Sequence, residues 1–376
     1  MSTSRSPISP LRKLAFAATA SVFVLGTLEL GLALTEPLWA DDAHEAVPLT
    51  RKEQDRASRV LLGAQDQRGM ADTLRFHVRS NVLTQHDPEL LFRVAPNPTG
   101  EAIHQYSGIN AQGFRGRSLN APPPGARSIL LLGDSCGFGW GLHEYPETIG
   151  GRLEQIYAQA GSELTPRAVF NLSQPGYSSE QARMLFERWH MALQPDLVIL
   201  YLGWNDLYLS GSEDRDTLRR LRIANASGLR LIRSTHLFRA LEQVLRHTPG
   251  TAPNEADEAR KRGIRRVSQQ RSVENLRSIV EAVRGRGGYV VIIPPPSLAF
   301  MRSSGMPDYI ASLRESLSDN ALFLELPEMD VAASGRESYF IRDGFHPNER
   351  GAAHIAQQIV RADLALERLD VPEAAP

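Results

Sequence analysis

Cysteine is almost missing from this chain: Cys136 stands alone among 376 residues. No disulfide can form within the chain, so stability must come from a buried core, which a chain of this length can supply. A cysteine-based metal framework is excluded too. The ten histidines are scattered with no Cys or Asp cluster at ligand spacing, so neither a metal nor any other cofactor is expected. Lysine is scarce, with Lys13, Lys52 and Lys261 the only three of 42 basic residues, a bias attributed to coding composition. A charge of one sign is also lacking. The 42 Lys+Arg oppose 43 Asp+Glu, which leaves no basic excess to displace counterions and argues against a nucleic-acid partner. With 42% hydrophobic and 23% charged residues, wholesale disorder is excluded. No internal repeat is present.

What the sequence does have begins with a long apolar run. Residues 14–34 hold one charge, Glu29, and 21 residues at about 1.5 Å each suffice to cross a hydrocarbon core of roughly 30 Å. Arg5, Arg12 and Lys13 precede the run, while Asp41, Asp42 and Glu45 follow it. The positive-inside rule then leaves residues 1–13 as a cytoplasmic tail and exports the remainder. A cleaved signal peptide, with Leu38-Trp39-Ala40 as its cleavage site, is the alternative. The uncleaved membrane anchor is favoured, because Glu29 lies towards one end of the span, where a carboxylate costs less. Either reading exports the chain that follows.

Residues 35–125 are polar and broken by Pro and Gly, an extracytoplasmic lead-in that closes on the stiff stretch Ala121-Pro122-Pro123-Pro124-Gly125. From 126 to 368 the pattern changes. Ser128-Ile129-Leu130-Leu131-Leu132 is a short apolar run of the buried parallel-strand type, and similar runs recur at 168–172, 197–202, 289–293 and 322–326. Helical periodicity separates them near 146–160, 179–193, 272–286 and 349–368. Strand alternating with helix predicts an α/β three-layer sandwich around a parallel five-stranded sheet, followed by a tail at 369–376. Residues 213–271 interrupt this rhythm with 14 Lys+Arg against 7 Asp+Glu. They read as an inserted basic helical arm whose charge forms a solvated face, with an anionic-ligand surface as the sharper option.

In a doubly wound sheet, ligands sit beyond the C-terminal ends of the strands, so polar residues after each apolar run matter most. The first run ends in Gly133-Asp134-Ser135-Cys136-Gly137, a tight strand-to-helix turn with Ser135 as candidate nucleophile. The second leads to Gly176, able to present a bare backbone N–H to a developing negative charge. The third gives Gly203-Trp204-Asn205-Asp206, where the Asn205 amide can donate to the same oxyanion. Before the last helix, Asp343-Gly344-Phe345-His346-Pro347 supplies a base, His346, and an acid, Asp343, to orient it. Each signal alone is weak, but their order along the chain is informative.

That order resembles the SGNH/GDSL hydrolase superfamily, whose four blocks match Gly133-Asp134-Ser135, Gly176, Gly203-Trp204-Asn205-Asp206 and Asp343-Gly344-Phe345-His346-Pro347. The resemblance implies a flavodoxin-like fold, with Ser135 as nucleophile, His346 as general base and Asp343 as its orienting acid. It implies an oxyanion hole made of the Ser135 and Gly176 N–H groups and the Asn205 side chain. The lead-in from Asp87-Pro88-Glu89-Leu90 to Gly113-Phe114-Arg115-Gly116, with Arg266-Val267-Ser268 and Asn275-Leu276, is similar to that of membrane-anchored bacterial members.

Cys136 is expected as a small buried hydrophobe rather than a rival nucleophile. Asp134 and Asp206 are expected as turn and cap formers; Arg266, after the basic arm, could reach the crevice, although a solvated arginine is the expected role. Trp140 and Trp204 could stack on a sugar, although core packing is the expected role for at least one. The expected activity is hydrolysis of O-acyl, chiefly acetyl, esters of envelope or extracellular carbohydrate, or another small ester, through an acyl-enzyme. An O-acyltransferase on the same scaffold and a noncatalytic envelope-binding protein are the alternatives.

Overall fold

The computed structural model describes residues 25, 27–30, 83–87, 89–96, 106–160, 164–210, 212–224, 235–236, 264–295, 305–329, 339–341 and 345–370. The chain divides into two compact units, residues 1–46 with 220–257 and residues 47–219 with 258–376. In the first unit, His236 Nδ1 lies 2.9 Å from Glu29 Oε1. Among the described residues no helix is long and apolar enough to cross a membrane. Most of the 14–34 run lies outside the described residues.

The second unit is built on a parallel sheet of five strands: β3 (Arg127–Gly133), β4 (Arg167–Asn171), β5 (Leu197–Tyr201), β8 (Tyr289–Ile292) and β9 (Leu322–Phe323). Their spatial order is β4-β3-β5-β8-β9. The chain therefore steps outward from β3 to β4, then reverses across β3 to β5, and β3 and β5 flank the switch point where such sheets bind ligands. Leu131 pairs with Asn171 on one side and Gly133 with Tyr201 on the other. Every residue of β5 is buried, as continuous apolar runs in a sheet covered on both faces require.

Helices α2 (Ile149–Ala160) and α7 (Glu349–Asp370) pack against each other, and α5 (Gln269–Arg284) packs against both α3 (Ser179–Leu193) and α6 (Met306–Leu317). Ser178 caps α3 through a reciprocal box with Gln181, so this helix begins where the sequence places it. The predicted strand at 322–326 shortens to two residues. Leu324 still donates to Ile292 O, but Pro327 has no N–H and opens a 3₁₀ turn. Helix α6 carries start signals, Gly305 at φ 82° and Pro307 in its first turn, that the periodicity reading passed over.

The described part of the lead-in packs into the core. Its hairpin of β1 (Thr84–Asp87) and β2 (Leu91–Val94) contributes Leu90 and Phe92 to the main cluster, with Phe114 and Leu119 following. Leu83, Val94 and Tyr106 enclose Phe138 from the turn after β3. The basic insertion starts as helix α4 (Asp214–Ala224), with Arg215, Arg219, Arg220 and Arg222 exposed. Its return strand β7 (Ile264–Arg265) pairs antiparallel with β6 (Leu209–Ser210).

Candidate active site

The turn after β3, which carries Ser135, is shaped by close backbone approach. A Cβ on Gly133 would sit 2.5 Å from Tyr201 O, so only glycine lets β3 run this close to β5 before turning. Asp134 caps the one-turn helix α1 (Ser135–Phe138) by accepting from Cys136 N at 2.9 Å. Ser135 is half-buried while its neighbours Asp134 and Cys136 are buried. Its Oγ lies 2.7 Å from His346 Nε2, a partner 211 residues away.

His346 is held by a narrow loop. Phe340 bridges to Pro347, Ile341 N donates to His346 O at 2.9 Å, and Asn348 donates to Tyr339 O and Phe340 O. Asn348 Oδ1 then accepts from Gly351 N in the first turn of α7. Phe345 and Trp140 flank the imidazole, with ring centroids 4.0 and 6.3 Å away. Asp343 lies outside the described residues.

The second and third blocks converge on the same place. Gly176 adopts φ 79°, a left-handed conformation natural to glycine. Among the described residues, neither the Ser135 nor the Gly176 backbone N–H donates a hydrogen bond. Asn205 Nδ2 donates to Tyr177 O at 3.0 Å and to Asp134 Oδ2 at 3.2 Å, tying all three strand ends together. Its two amide hydrogens are thus already engaged, and donation to an oxyanion requires sharing the longer bond.

Two buried carboxylates lie beneath these groups. Burial, with the charge of Asp206 adding to it, pushes Asp134 up to about 7. Burial also raises Asp206, despite bonds from Ser179 N, Ser272 Oγ and Tyr309 Oη. Asp134 is therefore the expected cap and also the support of Asn205. Asp206 joins α3, α5 and α6 rather than forming a local cap. Cys136 is buried, its Sγ 3.8 Å from Phe345 O, as a small hydrophobe would be. Trp204 is core, its ring tilted 46° to that of Phe345, whereas Trp140 remains half-buried beside His346. A cavity of about 300 Å³ opens at the ends of β5 and β8, lined by Tyr201, Pro294, Pro295, Met306, Ile310 and Leu326 among others.

A model of the GDSL-like Lipase/Acylhydrolase family matches residues 131–354. The chain belongs to that family. As a GDSL-like acylhydrolase of the SGNH type it is an ester hydrolase, and its four blocks fall within or beside the matched span. Similar solved structures include the lipase/acylhydrolase from Enterococcus faecalis, at 18% identity and TM-score 0.41, covering 63% of this chain and 94% of that one. The psychrotrophic esterase EstA from Pseudoalteromonas sp. is 16% identical, with TM-score 0.41 and coverage of 64% and 99%. A variant of the acetyl xylan esterase Axe2 from Geobacillus stearothermophilus is 14% identical, with TM-score 0.41 and coverage of 62% and 93%. No curated protein matches the chain in sequence.

Two arginines around the site of this GDSL-like chain take roles that the sequence reading did not assign to them. Arg115, fully buried, donates to the carbonyls of Phe138, Gly139, Leu142 and His143 and so fastens its own segment to the turn that carries Ser135. Burial lowers its pKa to about 10. Arg266, expected in solvent, is 1% exposed and donates to Gly176 O. No local spacing could reveal either role, since the backbone carbonyls that they hold at the site lie 23 to 90 residues away.

Proposed function

We propose that Ser135 is the nucleophile, His346 the general base and Asp343 the acid that orients it. In this reading the chain is a membrane-anchored, extracytoplasmic enzyme that removes O-acyl groups, chiefly acetyl, from envelope or extracellular carbohydrate. The single observation that carries the chemistry is the 2.7 Å approach of Ser135 Oγ to His346 Nε2. His346 takes the hydroxyl proton as Oγ attacks the ester carbonyl. The charge on the carbonyl oxygen meets the Ser135 and Gly176 N–H groups and one N–H of Asn205, supplied by sharing its bond to Asp134. Collapse releases the alcohol, protonated by His346, and leaves an acyl-serine that water, activated by the same imidazole, hydrolyses.

The exported topology is supported by the charge asymmetry around residues 14–34. A carbohydrate substrate is supported by the half-buried Trp140 beside His346, an apolar face of the kind sugars stack on. The test treats the full-length protein in detergent with a fluorophosphonate, then assays acetylated sugars with and without acceptor sugars. Labelling at Ser135 with acetate release is the expected result. Acetyl transfer to the acceptor would make it an acyltransferase, and a folded, unlabelled, inactive protein would leave a binding role.

A further inference from the structure

Arg266 ends the basic insertion and Asp214 begins it, and the two side chains meet in a buried pair, 1% and 7% exposed. Backbone bonds zip these ends together: Arg266 N donates to Tyr208 O and Asp214 N to Arg266 O, at 2.8 and 2.7 Å. The guanidinium grips Asp214 with Nε and Nη2 at 3.1 and 2.7 Å. Two further contacts reach the Gly176 loop and the first turn of α3. Nη1 donates to Gly176 O at 2.9 Å and Nη2 to Gln181 Oε1 at 2.9 Å, while Ser178 Oγ donates to Asp214 Oδ2 at 2.6 Å.

A buried ion pair is a weak source of stability, because desolvation offsets most of the attraction. What a planar guanidinium fork supplies is direction. Gly176 needs it, because a glycine with φ 79° has little of its own to fix ψ. Pro175 limits rotation before it, Asn205 holds the next carbonyl, and Arg266 holds the Gly176 carbonyl itself. We propose that Arg266, locked by Asp214, is a positioning residue for ester hydrolysis: closure of the two ends of the insertion aims the Gly176 N–H at the reacting carbonyl oxygen. This rests on the reading of Gly176 as an oxyanion donor.

The test compares wild type, Arg266→Gln and Arg266→Lys, each full length in detergent. The measurements are kcat and KM on 4-nitrophenyl acetate, affinity for a boronic acid whose Ser135 adduct carries a tetrahedral oxyanion, and fluorophosphonate stoichiometry. Losing one donor outright costs about 100- to 1000-fold, and misaiming it less. Arg266→Gln should lower kcat about 10- to 100-fold and weaken the boronate by a similar factor, with KM within about twofold and every Ser135 still titratable. Arg266→Lys keeps the charge without the fork and should fall between. It carries the test alone if Arg266→Gln does not fold. A folded variant with kcat and boronate affinity within about twofold of wild type overturns the proposal, as does a kcat loss with boronate binding intact. A wild-type chain that neither labels nor hydrolyses esters would instead remove the hydrolase reading, and this positioning role with it.

Discussion

The two ends of the central sheet use the same residue types to opposite ends. At the N-terminal edge, Arg127 and Arg167 open β3 and β4 and meet Asp363 and Glu367 on α7. Tyr157 Oη adds a hydrogen bond to Asp363 at 2.9 Å. Although partly buried, Glu367 is held below the usual carboxylate range by Arg167. This edge closes the fold. At the C-terminal edge, Asp134 and Asp206 are buried among hydroxyls, amides and backbone N–H groups, and both are pushed upward. If the proposed site lies there, its polar groups are placed to position a substrate's reacting atoms rather than to satisfy one another.

That contrast predicts where substitutions act, and the largest effect belongs to the C-terminal edge. Ser135→Ala removes the atom that would carry the acyl group, and His346→Ala removes its base. Each should drop turnover to background while leaving the thermal midpoint within a few degrees, read by ester assay and circular dichroism. Wild-type rates in either folded variant would end the catalytic reading.

At the opposite edge the outcome should invert. Arg167→Ala leaves Asp363 and Glu367 with the more distant Arg127 alone, at 3.8 and 3.7 Å, and should cost about 1–3 kcal/mol in urea unfolding, with kcat per folded molecule unchanged. Loss of kcat without loss of stability would show that the two edges are not separate. Asn205→Ala returns to the site, with an expected kcat loss of about 100- to 1000-fold, or 2.7–4 kcal/mol, and little change in KM.

The smallest effect concerns pH. Burial raises Asp134 from 3.8 to about 7, so over that window the folded chain keeps a proton the unfolded chain has released. Stability from this group is full below about pH 4 and is lost as pH rises through 7. Asp134→Asn does not titrate, so its stability relative to wild type should improve by up to a few kcal/mol between pH 5 and pH 8. A gap independent of pH would place the cost of Asp134 elsewhere.

Much of the site was legible because it is local. Strand ends announce themselves by an apolar run that stops, and Gly133-Asp134-Ser135, Gly203-Trp204-Asn205 and Phe345-His346-Pro347 each occupy one such stop or the last helix entrance. The boundaries of α3 were equally readable, because Ser178 and Gln181 form their capping box within four residues. Arg115, Arg266 and Asp206 were not readable. Nothing near Asp206 in the chain forecasts bonds from Ser272 and Tyr309, 66 and 103 residues away.

The sequence by itself determined the alternation of strand and helix, the stops at which chemistry-bearing residues fall, and the single cysteine that rules out a disulfide. Periodicity and turn chemistry act over a few residues, so they are written in consecutive letters. Only the tertiary structure decided that Ser135 meets His346, that Asn205 rests on Asp134, and that an arginine at the end of a basic insertion turns inward to hold Gly176. Those pairings depend on strand order and on burial. A buried donor must find its acceptor wherever folding brings one, whatever the distance along the chain.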